Sequence, residues 1–185
     1  DHLLGDLGSI FINSILILLA YPLIILYEKI FGNLTLFTLH ELADTHHPLL
    51  KRLMDEAPGT FHHSVQVARL AETAAAAIGA NSMLCRVGGL YHDIGKMEQP
   101  HFFGENQLGG NRLEKLKPNL SRIVIRNHVA AGVRIAKEYA LHPEIIRFIE
   151  SHHGTSLIKF FYTKAKREKE KDTQAPPVLE NDYRY

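Results

Sequence analysis

Leu90-Tyr91-His92-Asp93-Ile94-Gly95-Lys96 places an imidazole and a carboxylate side by side at the end of an apolar run, then breaks the run with Gly95. A lone His-Asp pair is most often a surface or capping pair. Here it has company. His63 lies upstream; His128 and the pair His152-His153 lie downstream, each at or near the edge of a helix-like segment. Helices that each bring imidazole or carboxylate to a boundary suit a metal site assembled between helices.

Upstream of the pair, Phe61 to Ile78 carries Val65, Ala68, Ala71, Ala75 and Ile78 at helical spacing. Pro58-Gly59 precedes it, Thr60 is a candidate cap, and Gly79 ends it. His62 and His63 point different ways from its first turn, so one alone can face the core. Asn81 or Ser82 caps the helix that runs to His92-Asp93, and Gly88-Gly89 inside it signals close helix packing. Downstream, Glu98 to Pro118 reads as a long polar loop, a length that tends to be functional. Ser121 to Leu141 is helical with His128 near its middle or at a break. His142-Pro143 opens another helix ending in His152-His153-Gly154. From Ser156 to about Lys171 a further helix packs Leu157, Ile158, Phe160 and Phe161 inward and ends in a charge run. There are no strand signals of weight, and the expected fold class is all-α: a helical bundle preceded by one transmembrane helix.

Ile10 to Tyr27 is an uncharged run of 18 residues. At 1.5 Å per residue it spans roughly 27 Å, close to a bilayer's hydrocarbon core. Lys29, Lys51 and Arg52 follow it and no Lys or Arg precedes it, which favours a cytoplasmic downstream part. A chain that opens on Asp1 rather than Met and stops at Tyr185 reads as part of something longer. The expected organisation is a last transmembrane helix over 1–30, a helical connector over 31–57, the histidine-rich domain over 58–171, and an extended or mobile tail over 172–185. His46-His47-Pro48 in the connector reads as a turn rather than a ligand pair.

Composition bounds the rest. Against 20 Asp and Glu stand 21 Lys and Arg, a net charge of +1 that speaks against binding to nucleic-acid polymers. The single cysteine, Cys85, sits in an apolar run, so no internal disulfide is available. Histidine is the outlier at 12 residues. Neutral imidazole plus carboxylate without thiolate suits Mn, Fe, Zn or Co rather than a structural zinc site. His63, His92, Asp93, His128, His152 and His153 exceed the needs of one tetrahedral ion. Asp93 can bridge two ions through its two oxygens. Two ions about 3.5–4 Å apart hold a bridging hydroxide and clamp a phosphate, giving in-line attack on phosphorus. Lys96, one turn beyond His92, is either a partner for a phosphate oxygen or a solvated charge at a helix end.

The ordered set His63 … His92-Asp93 … His128 … His152-His153 resembles the HD-domain phosphohydrolases. Pro58-Gly59-Thr60-Phe61-His62-His63-Ser64, Tyr91 to Lys96, Glu105-Asn106-Gln107, His152-His153-Gly154-Thr155 and Phe160-Phe161-Tyr162 look like the seven-transmembrane HD family. That resemblance covers almost the whole chain. It implies membrane helices followed by a cytoplasmic HD domain that hydrolyses the second messenger cyclic di-AMP to pApA. It implies His63 rather than His62 as first ligand. One ion, manganese or iron, would take His63, His92 and Asp93; the other Asp93, His128, His152 and His153. Asp93 and Lys96 would be catalytic, and Lys96, Asn106 and Gln107 would contact substrate. Partners would be the cyclic dinucleotide and the bilayer around Ile10–Tyr27, and a homodimer is left open. Two departures stand out. Asn111-Arg112-Leu113-Glu114 replaces an Asn-Pro-His-Asp-like word. The family's closing Asp, on a later apolar helix, has no match in Asp172 or Asp182, and is expected beyond Tyr185. An HD enzyme for an alarmone or dNTP, or a non-catalytic nucleotide sensor, are the competing readings.

Overall fold

The computed structural model describes residues 2–107, 109–110, 112–172 and 177–185. They form helices α1 (His2–Phe31), α2 (Leu36–Ala43), α3 (Pro48–Glu56), α4 (Pro58–Ala77), α5 (Ser82–Tyr91), α6 (Pro118–Glu138), α7 (Pro143–Ser151) and α8 (Lys159–Lys171). Among the described residues there is no strand; an isolated bridge pairs Leu157 with Arg184. The expected all-α class is what the chain adopts.

The chain divides into two compact units, 1–40 and 41–185. In the first unit, α1 runs unbroken through Pro22 and buries none of its residues. Near its end Glu28 accepts hydrogen bonds from the Thr35 amide at 2.8 Å and the Thr38 hydroxyl at 2.7 Å, which tie the start of α2 to it.

In the second unit α3 belongs with the histidine-bearing helices, because Leu49, Leu50 and Leu53 are fully buried. Pro48 and Pro58 each occupy a first helical turn, where the missing N–H costs nothing. His47 caps α3 by accepting from the Leu49 amide, so its ring serves the backbone. Thr60, expected as a cap, is already inside α4, which Pro58 opens. Asn81 caps α5 by accepting from the Leu84 amide at 3.0 Å. α5 lies between α4 and α7, and its glycines permit it: a Cβ on Gly89 would stand 2.7 Å from the Ala68 Cα, and one on Gly88 2.4 Å from the Phe148 ring. α6 is continuous, with His128 buried in its middle rather than at a break. Val87, Ile94, Ile135, Ile145 and Ile149 close the core beneath the histidines.

Three expectations are corrected. Residues 177–185 are not an extended or mobile tail. Tyr183 is buried with Leu113, Ile158, Phe161 and Ala165, and the Ile158 amide donates to the Tyr183 carbonyl at 2.8 Å. This small second core forms where the apolar face of α8 meets Leu113, Val124 and Ile125 as well as Tyr183. Phe160 does not pack inward; it is 57 % exposed, while Phe161 next to it is buried, as a helix's 100° step requires. The loop over 98–118 is not structureless either. Its described part is a run of short 3-10 turns, including Pro100–Phe102, Gly104–Asn106 and Leu113–Lys115. Of the word 111–114, Asn111 lies outside the described residues.

Candidate metal centre

His92 follows the last turn of α5, and Asp93 comes next, where the helix gives way to a 3-10 turn over Ile94–Glu98. Gly95 lets that turn pass directly against α6. Asp93 is thereby buried to 2 % exposure between α5 and α6.

Ligand-capable atoms form two clusters, each with all its members within 4.8 Å of one another. One contains His63, His92 and Asp93; the other contains Asp93, His128, His152 and His153. Asp93 Oδ2 lies 3.0 Å from His92 Nε2 and 3.8 Å from His63 Nε2. Asp93 Oδ1 lies 3.3 Å from His128 Nε2 and 3.5 Å from His152 Nε2. Each carboxylate oxygen thus faces a different set of imidazoles. His62, beside His63, turns its ring against Phe61 instead. Among the described residues neither Asp172 nor Asp182 joins either cluster.

The tautomers follow from the backbone. His92 Nδ1 faces the Gly89 carbonyl at 2.8 Å, His152 Nδ1 faces the Ile149 carbonyl at 2.9 Å, and His128 Nδ1 faces the Ile125 carbonyl. A carbonyl only accepts, so each Nδ1 must carry the proton. That leaves every Nε2 with a lone pair turned into the centre. His128 Nε2 then sits 3.3 Å from both His152 Nε2 and His153 Nε2. Asp93 Oδ1 is buried with no hydrogen-bond donor among the described residues. Converging lone pairs around an undonated carboxylate oxygen are unfavourable unless a cation joins them. The donor set therefore fits divalent transition ions.

Protonation states agree. Burial pushes the His128 imidazole down to about 4. Burial, followed by the neighbouring His152 and His128 rings, pushes His153 down to about 4. Both are neutral near pH 7, as ligands must be. Burial alone would raise the Asp93 carboxyl, but the Lys96 ammonium 2.8 Å from Oδ2 outweighs that and holds it below the usual carboxylate range.

Lys96 is neither a solvated charge nor an open phosphate donor. Its ammonium is largely buried and lies 2.8 Å from both Asp93 Oδ2 and Glu105 Oε1. Asn106 and Gln107, expected to meet substrate, have protein partners. Asn106 accepts from the Thr60 amide at 3.0 Å and donates to the Thr60 hydroxyl at 2.8 Å; Gln107 donates to the His101 carbonyl. Two residues escaped sequence reasoning. Glu105 was read only as part of a word, although its charge opposes Lys96. Tyr185, assigned to the tail, stacks on His153 with ring centroids 3.8 Å apart and planes 17° apart. Beside that stack opens a cavity of about 440 Å³ bordered by Arg126, Glu150 and the apolar α6 face at Val129 and Val133.

The HD-domain family model matches residues 60–180 of this chain. The chain belongs to the HD-domain family. A cyclic-di-AMP phosphodiesterase PgpH from Listeria monocytogenes is 50 % identical over 169 residues, 91 % of this chain and 23 % of that protein. The PgpH of Bacillus subtilis is 44 % identical over 176 residues, 95 % of this chain and 24 % of that protein. The chain thus spans about a quarter of the length of these relatives. The crystal structure of the L. monocytogenes PgpH HD domain superimposes with a TM-score of 0.69 at 50 % identity, covering 76 % of this chain and 63 % of that one. The same domain in complex with cyclic-di-AMP gives a TM-score of 0.69 at 49 % identity, covering 77 % of this chain and 64 % of that one.

Proposed function

We propose that this HD domain is a metal-dependent phosphodiesterase that hydrolyses cyclic di-AMP to pApA and is anchored to the cell membrane by α1, with residues 41–185 cytoplasmic. The observation that carries it is the shared carboxylate: Asp93 faces His63 and His92 with one oxygen and His128 and His152 with the other. That arrangement suits two ions, manganese or iron, one held by His63, His92 and Asp93 and the other by Asp93, His128, His152 and His153. When bound, such a pair supplies an activated water and neutralises the oxygens of a phosphodiester.

The chain's own residues do the rest. The three backbone-fixed imidazoles hold their Nε2 lone pairs inward, so the centre needs little reorganisation on loading. Lys96 places a positive charge beside the first cluster, where an anionic phosphodiester would approach. The cavity next to His153 offers apolar wall and the Arg126 guanidinium to the body of a nucleotide. Adenine as the base is supported by the PgpH relatives and by the cyclic-di-AMP complex of one of them. Membrane anchoring is supported by α1, long and apolar enough to span a bilayer, and by Lys29, Lys51 and Arg52 following its apolar run.

The test is turnover of cyclic di-AMP by the metal-loaded chain beside elemental analysis of bound metal. The expected result is pApA formation with two ions per chain. Equal or faster hydrolysis of cyclic di-GMP or of an alarmone overturns the substrate assignment. Binding of cyclic di-AMP without turnover at full metal loading, also in a chain extended beyond Tyr185, means a sensor rather than an enzyme.

A further inference from the structure

The Lys96 ammonium holds an oxygen that an ion in the first cluster would need. Its ammonium sits 2.8 Å from Asp93 Oδ2, the same oxygen that faces His92 at 3.0 Å and His63 at 3.8 Å. A second anion, Glu105 Oε1, stands 2.8 Å from the same ammonium on its other side. Glu105 is itself built in. It accepts a hydrogen bond from the Thr60 hydroxyl at 3.1 Å, and Asn106 next to it holds the Thr60 amide. The turn Gly104–Asn106 lies so close to α4 that a Cβ on Gly59 would stand 1.9 Å from the Glu105 carbonyl oxygen. Thr60 precedes His63 by three residues on α4. The helix that carries the first imidazole therefore also fixes the carboxylate that competes with Asp93 for Lys96.

We infer that Glu105 is a positioning residue that shares the Lys96 ammonium with Asp93 Oδ2 and so lets Lys96 yield that oxygen to the ion of the His63–His92–Asp93 cluster. Glu105 touches neither cluster directly and acts through Lys96. Without its charge, Lys96 would pair with Asp93 alone, and the first site would carry one more uncompensated positive charge. Both changes oppose a divalent ion there. The second cluster is less affected, because it uses Oδ1, the far oxygen of Asp93. The inference rests on the two-ion reading above.

The test is calorimetric titration of the metal-stripped chain with Mn²⁺, comparing unmutated protein, Glu105→Gln, Lys96→Gln and the double variant. Glu105→Gln keeps the shape and an acceptor but removes the charge. It is expected to weaken the first-site ion by roughly 10- to 100-fold, the usual cost of losing an outer partner of a metal ligand, and to leave the second within a few-fold. Lys96→Gln, with no ammonium to compete, should bind the first ion at least as tightly as the unmutated chain. In the double variant the Glu105 effect should vanish, which a merely structural role for Glu105 would not produce. Equal weakening of both sites, an unchanged first site, or a Glu105 effect that persists without Lys96 overturns the inference. Binding of a single ion by the unmutated chain refutes the two-ion reading and this inference together; two ions with an unaltered Glu105→Gln isotherm refutes the inference alone.

Discussion

Gly95 passes so close beneath α6 that a Cβ on it would stand 1.8 Å from the carbonyl oxygen of His128. The contact joins the turn that carries Asp93 to the helix that carries His128, and it is backbone against backbone, so no side chain can yield. Gly95→Ala must push the two apart. The expected cost is that of overpacking a filled interior, about 1–3 kcal/mol and occasionally more. The displacement should also open the distance between Asp93 Oδ1 and His128 Nε2 and weaken metal binding. Thermal unfolding and a metal titration of Gly95→Ala check this. An unchanged melting temperature together with unchanged affinity would show that the crossing has slack.

How much of this was legible beforehand depends on the range of each interaction. The helices and the order of the histidines were, because helical periodicity and the His92-Asp93 pair are local signals. Gly88-Gly89 announced close packing, and Ala68 and Phe148 are what it packs against. Partners across long stretches of chain were not. Nothing local to Glu105 says that Thr60, 45 residues away, holds it, or that Lys96 lies between it and Asp93. Tyr185 looked like tail because its environment, the His153 ring and the bridge to Leu157 made by Arg184, comes from other segments. Phe160 and Phe161 are equally apolar, and only the docking of α8 decides which one is buried.

The shared carboxylate predicts an unequal pair of mutants. Among the described residues Asp93 alone is common to both clusters, so Asp93→Ala should abolish binding of both ions. His128→Ala removes a donor from the four-residue cluster alone and should mainly empty that site. By donor count the four-residue cluster should also hold its ion more firmly in the unmutated chain. Elemental analysis of each variant at saturating Mn²⁺ reads the stoichiometry. If Asp93→Ala retains one full equivalent, the carboxylate is not the bridge.

The buried imidazoles predict an acid-sensitive apoprotein. In the fold, burial holds His128 and His153 neutral down to about pH 4, whereas in the unfolded chain both take up protons near the ordinary imidazole value of 6.5. Between those limits the unfolded state binds more protons, so stability is present above about pH 6.5 and is lost as pH falls towards 4. For His128, 3 % exposed, the loss is on the order of 3 kcal/mol across that window. Melting temperatures of the chelator-treated chain should fall through this range, and the slope should be shallower in His128→Gln. A flat profile between those pH values would mean that His128 is protonated in the fold.

α1 predicts how the chain partitions. It is a helix of 30 residues, roughly 45 Å long at 1.5 Å per residue, against a hydrocarbon core of about 30 Å. None of its residues is buried, and Leu16, Ile17, Leu18 and Leu23 are each more than half exposed. Water does not tolerate so large an uninterrupted apolar surface on a monomer, and a helix satisfies every backbone group that lipid cannot. Phospholipid vesicles should therefore capture the 185-residue chain in a flotation gradient. A chain starting at Glu41, where the second compact unit begins, should stay in the aqueous fractions and keep its metal affinity. A reporter fused after Tyr185 should be active only on the cytoplasmic side, following the positive charges at Lys29, Lys51 and Arg52. If the full chain stays monomeric in buffer without detergent or lipid, α1 is covered by protein and the membrane reading is lost. If instead it floats but the reporter is active only outside the cytoplasm, the span stands and the orientation is reversed.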